Sequence, residues 1–116
     1  VRDLPNDANK KFVADFRAKH KTDPSFYGAQ TYDAVPLLDS VVKAVKGDLS
    51  KKDEMRRAAE KANFKSVRGG FKFGPNHMPI QNYYKQEVVK DGDGFRLKTI
   101  ETAVENYQRA LLPSCF

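Results

Sequence analysis

Ala34, Leu37, Leu38, Val41, Val42 and Val45 recur at i, i+3, i+4 and i+7, which puts them on one face of an α-helix. A face that apolar has to be buried against a second layer. The pattern runs over residues 25–46, with Gly47 as a natural C-cap. Pro24 favours a helix start and Asp23 is a suitable N-cap before it. Pro36 lies inside the pattern and removes one backbone donor. It predicts either a kink or a helix that properly begins near Asp33.

Two further helices flank this one. Residues 7–20 place Phe12, Val13 and Phe16 on a shared face behind a cap at Asn6 or Asp7. Residues 51–62 turn Met55, Ala58, Ala59 and Ala62 inward, with Ser50 and Asp53 as an Asp form of the capping box. The period then changes. Val67, Phe71 and Phe73 flank Gly69-Gly70, which predicts a strand with a bend or bulge. Gly74 to Pro79 reads as an irregular loop. Ile80 to Lys90 and Phe95 to Thr102 read as strands joined by a hairpin turn at Asp91-Gly92-Asp93-Gly94, with Phe95, Leu97 and Thr99 on one side. A short helix is expected from Ala103 to Leu112, with Val104, Tyr107 and Leu111 inward, ended by Pro113. The order is therefore three helices, three strands and a helix. Three strands cannot easily cover so many amphipathic helices, so a complete sheet is missing from the pattern.

The chain has 116 residues, room for one domain. No apolar run approaches the roughly 20 residues a membrane span needs. Val1-Arg2-Asp3 is not a charged leader into an apolar stretch, and Val followed by a Pro-Asn turn reads as the start of a mature or cut product. The net charge of +6 raises the question of a polyanion partner. Lys10, Lys11, Arg17, Lys51, Lys52, Arg56 and Arg57, however, sit on helix faces among Asp7, Asp15, Asp53, Glu54 and Glu60. Such mixed-sign faces argue for solvated surface over a phosphate-tracking stripe. Cys115 has no partner in the chain. It is either a tolerated thiol or one whose partner lies in a longer protein.

Catalytic and metal chemistry find no constellation. Asp91-Gly92-Asp93-Gly94 begins like a calcium loop, but Phe95 and Thr102 stand where oxygen ligands are required. His20 and His77 lie in separate segments without a nearby Cys or His, so no metal and no cofactor are expected. No serine sits in a nucleophile elbow. Arg68-Gly69-Gly70-Phe71-Lys72-Phe73 alternates basic and aromatic residues like an RNA-stacking strand, but Gly74-Pro75 stops it at once.

One cluster points to a ligand. In Phe26-Tyr27-Gly28-Ala29-Gln30-Thr31-Tyr32-Asp33, two Tyr, a Gln, a Thr and an Asp crowd the start of the long helix. Helix N-termini suit carboxylates, and Tyr offers an apolar body with a polar tip. The same residues also suit the plain packing of a helix start. Spacing leaves both readings open.

The segments Asn9-Lys10-Lys11-Phe12-Val13-Ala14-Asp15-Phe16-Arg17-Ala18-Lys19, Asp23-Pro24-Ser25-Phe26-Tyr27, Tyr32-Asp33-Ala34 and Phe64-Lys65-Ser66-Val67-Arg68-Gly69-Gly70-Phe71-Lys72-Phe73, in this order, resemble type I periplasmic solute-binding proteins of ABC importers, of the leucine/isoleucine/valine-binding kind. The strand Asn82-Tyr83-Tyr84-Lys85-Gln86-Glu87-Val88-Val89 continues the likeness. The resemblance implies an α/β, two-lobed flytrap fold whose lobes close on a small ligand and then engage a membrane permease. It implies that residues 1–116 are the C-terminal portion. Residues 1–80 would supply peripheral helices and a strand of one lobe, and residues 81–116 the returning hinge strands and terminal helix. The missing sheet would lie in upstream chain. It also implies a cleft-lining role for Tyr32, with Tyr27, Gln30 and Asp33 nearby.

The resulting expectation is a non-catalytic, periplasmic receptor. It would take a small amphipathic carboxylate, either a branched-chain amino acid or an aromatic acid. Its partners would be the ABC permease subunits and the remainder of the receptor chain or a second copy of this one, with no nucleic acid. The alternative is a small basic domain that binds nucleic acid.

Overall fold

The computed structural model describes residues 2–109. Three helices come first: α1 (Asp7–His20), α2 (Phe26–Ala44) and α3 (Lys52–Lys61). Strands β1 (Lys72–Phe73), β2 (Pro79–Asp91) and β3 (Gly94–Tyr107) follow, in an antiparallel sheet of order β1-β2-β3.

Local chemistry sets the helix ends. The Asn6 side chain accepts from the Asn9 amide at 2.8 Å and caps α1. Its amide group also donates to the Val67 carbonyl at 3.2 Å, so one residue starts a helix and holds a distant segment. Ser25 caps α2, accepting from the Gly28 amide at 3.2 Å. The expected cap, Asp23, is engaged elsewhere, in ion pairs with Arg2 and Arg17. Pro36 neither kinks α2 into two helices nor delays its start; one helix runs through it. Its missing N–H only leaves the Tyr32 carbonyl without the usual helical donor. The capping box at Ser50 does not form. The Ser50 hydroxyl donates instead to Asp48 Oδ1 at 2.6 Å, which holds the Asp48 carboxyl below its ordinary range, and α3 is capped by Lys51 with no side-chain bond.

Phe12, Val13, Ala29 and Val67 form the core, with Ala8 and Phe16 packed against it. The Phe12 ring lies 5.8 Å from Phe16 and 4.6 Å from Tyr32. Val67 is fully buried in a turn, so the strand expected from residue 67 contracts to Lys72–Phe73. Gly74 to Met78 closes a tight connection, with the Gly74 amide donating to the Met78 carbonyl at 2.8 Å, and Phe73 pairs with Pro79.

The β2–β3 hairpin forms as its alternation predicts, turning at Gly92 and Asp93 between the paired Asp91 and Gly94. Gly92 has φ +61°, a conformation that favours Gly. The expected terminal helix is corrected. Ala103 to Tyr107 extend β3, while Leu111, Leu112, Pro113, Ser114 and Cys115 lie outside the described residues. Thr99, Ile100, Thr102 and Val104 are β-branched and suit a pleated strand. The open edge of β2 also offers them a ladder. Val104 pairs with Tyr83 and Tyr107 with Gln81, across register shifts that mark bulges. Asn106 bends into a positive φ of 48° there, and its amide donates to Asn82 Oδ1 at 2.8 Å.

The buried face of α2 carries Ala29, Asp33 and Val41, continued by Val45 at its C-cap. Its other apolar residues remain open: Val35 is 67% exposed, Leu38 62% and Val42 39%. The radius of gyration is 16.7 Å, against about 13 Å for a compact chain of roughly 100 residues.

Candidate functional site

A cavity of about 520 Å³ opens between the N-terminal segment, the start of α2 and the hairpin. Leu4, Pro24 and Phe26 give its helical side an apolar wall, and Tyr83, Tyr84, Phe95 and Leu97 line the hairpin side. Both tyrosines come from β2, whose ladder with β3 fixes their positions. A cavity of this size and mixed lining suits a small organic ligand.

Three cations reach the same space: Arg2, Arg68 and Arg96. Arg2 Nη1 is 2.8 Å from both Asp23 Oδ2 and Asp91 Oδ2. Hydrogen bonding to Asp91 and the nearby carboxylates raise the Arg2 pKa, and the Arg17 guanidinium, through its hydrogen bond, lowers that of Asp23. Arg96 lies 3.8 Å from Asp3 and 3.6 Å from Asp91. The third cation is set deeper. Arg68 donates from Nε to Asp33 Oδ2 at 3.0 Å and from Nη1 to Gln81 Oε1 at 3.2 Å, and it lies 4.8 Å over the Phe71 ring.

The four residues singled out in the sequence do not line this cavity. Tyr27 and Gln30 stand exposed on α2, and Tyr32 is half-exposed against Phe12. Asp33 is buried, 3% exposed, and accepts from the Ser66 hydroxyl at 2.5 Å and the Val67 amide at 3.0 Å besides Arg68. It reaches the cavity only through Arg68. Their neighbours Ser25 and Phe26 do line it. The sequence pattern raises Arg68 only within the basic and aromatic run Arg68 to Phe73, and gives Gln81 no role. They lie 35 and 48 positions beyond Asp33 on other elements, out of reach of any local periodicity. Among the described residues, no cluster of His, Cys, Asp or Glu is placed to hold a metal ion, and no helix is long and apolar enough to cross a membrane.

Residues 1–93 match the family described as periplasmic binding protein. The chain belongs to that family, as a fragment of the type I periplasmic-binding fold. Among solved structures it is similar to an ABC-transporter solute-binding protein from R. palustris in complex with benzoate. Identity is 37%, the TM-score is 0.73, and the alignment covers 94% of this chain and 31% of that one. It shares its fold with an ABC-transporter substrate-binding protein from Sphaerobacter thermophilus at 18% identity and TM-score 0.76, covering 89% of this chain and 29% of the other. The chain thus spans about a third of the length of these structures. No curated protein sequence matches it.

Proposed function

We propose that the chain is the C-terminal portion of a non-catalytic, periplasmic solute receptor that delivers a small amphipathic carboxylate, an aromatic acid or a branched-chain amino acid, to an ABC import permease. The observation that carries this reading is the 37% identity, over 94% of the chain, to a solute-binding protein seen with benzoate. The cavity supports it, because aromatic walls and guanidinium groups together match an aromatic ring bearing a carboxylate. Residues 1–80 belong in this reading to one lobe, and residues 81–116 return toward the other. Tyr27, Gln30 and Tyr32 extend the α2 flank beyond Ser25 and Phe26, toward ligand or upstream chain. Asp33 serves the site from behind.

The test is a receptor in which this chain replaces the matching third of the R. palustris protein. Calorimetric titration should show binding of benzoate or leucine, and no salt-sensitive binding of RNA. A folded chimera that binds neither acid would overturn the proposal.

A further inference from the structure

Arg68 is the most enclosed of the three cavity cations, with an 11% exposed side chain against 30% for Arg2 and 28% for Arg96. Charge pairing strengthens as solvent is withdrawn. Arg2 already lies between two carboxylates, Asp23 and Asp91, and Arg96 between Asp3 and Asp91. Arg68 has one, Asp33, whose charge is also shared with Ser66 and Val67. A guanidinium carries five N–H donors. Nε–H and one Nη1 N–H of Arg68 are committed, to Asp33 and Gln81. Among the described residues the outer end of the fork, Nη2 and the second Nη1 hydrogen, has no protein acceptor. That end has the geometry to take a carboxylate through two parallel bonds.

Resting on the receptor reading above, we propose that Arg68 reads the carboxylate of the bound acid and that Asp33 is the positioning residue that aims it. Asp33 is well placed for that task. It is held by a hydroxyl and a backbone amide of the segment that carries Arg68, so the anchor and the guanidinium move as one body. Gln81 fixes the second edge of the guanidinium from β2. Phe71 supports its face.

The experiment compares benzoate with benzamide, its uncharged analogue, in the chimeric receptor. The unsubstituted chimera must first bind one of the two acids; if it binds neither benzoate nor leucine the receptor reading fails and this one with it, and if it binds leucine alone, leucine and leucinamide replace the benzoate and benzamide pair. Arg68→Gln is expected to weaken benzoate by about tenfold or more while leaving benzamide within about threefold. Arg68→Lys, which keeps the charge and loses the fork, should fall between. Asp33→Asn should lower the preference for benzoate over benzamide severalfold in the same direction. Lys10→Gln, on the exposed surface of α1 and away from the cavity, should not change that preference. Equal weakening of both ligands by Arg68→Gln, or of neither, overturns the assignment while leaving the receptor function standing. If Asp33→Asn does not fold, the two Arg68 variants decide alone.

Discussion

Arg2 Nη1 lies 2.8 Å from Asp91 Oδ2, joining residues 89 positions apart. The contact ties the N-terminal segment to the tip of the hairpin. Asp23, on the loop between α1 and α2, meets the same nitrogen at 2.8 Å. Three pieces of chain with no sheet or helix in common therefore meet at one guanidinium.

This cluster gives a pH dependence of definite sign. The Asp23 carboxyl is held below its ordinary value, first by its hydrogen bond from Arg17. Its contribution is fully present above the unfolded value, about 3.9, and is lost as pH falls through the lower folded value. Asp23 is about one-third exposed, so screening keeps the effect to under about 1 kcal/mol. Melting temperature should drop below about pH 4, and Asp23→Asn should flatten that part of the profile. An unchanged acid limb in the variant would count against the cluster.

Ser25→Ala removes the side-chain cap at the α2 start. Urea unfolding should register a loss of about 1 kcal/mol. Ser25→Asp should retain most of the stability, because its carboxylate can accept the same amide.

Phe12 is 4% exposed and touches the rings of both Phe16 and Tyr32. Truncation of such a residue costs about 3–5 kcal/mol. With a core this small, Phe12→Ala should abolish near-ultraviolet circular dichroism. A variant with an intact near-ultraviolet spectrum and melt would place the core elsewhere.

Val35, Leu38 and Val42 form an open apolar stripe on α2, and β3 is a long edge strand with Phe95, Leu97 and Ile100 exposed. Open edges and apolar stripes recruit other chains. The isolated chain should associate with concentration in light scattering, and Leu38→Glu should reduce that association. A sharp, concentration-independent monomer melt would refute the expectation.

The helices were legible in sequence because their determinants are local. Asn6 caps, Phe12 and Val13 recur on one face, and the apolar repeat from Ala34 to Val45 continues through Pro36. The hairpin was legible for the same reason, since Gly92 marks its turn. The terminal helix was misread because Val104 and Tyr107 fit a helical spacing. Only the ladder offered by Tyr83 and Gln81, more than 20 residues upstream, decides for strand. The count of amphipathic faces anticipates uncovered apolar surface, and Val35 and Leu38 carry it on α2. The cavity was half legible. The start of α2 was singled out, yet the lining residues there are Ser25 and Phe26. Arg68 was invisible as a partner of Asp33, because a tertiary ion pair leaves no periodic trace.

Arg68 spans two unequal attachments. Asp33, on one side, is charged and buried; Gln81, on the other, is neutral and belongs to β2. Both bonds draw on the guanidinium charge, but only the one to Asp33 joins two opposite charges, so the one to Gln81 is the weaker. If the hairpin swings away from the helices, the Gln81 bond should yield first and the Asp33 bond last. Hydrogen exchange should follow that sequence: amides of β2 near Gln81 exchange early, and the Val67 amide, locked on Asp33, survives until the helices themselves come apart.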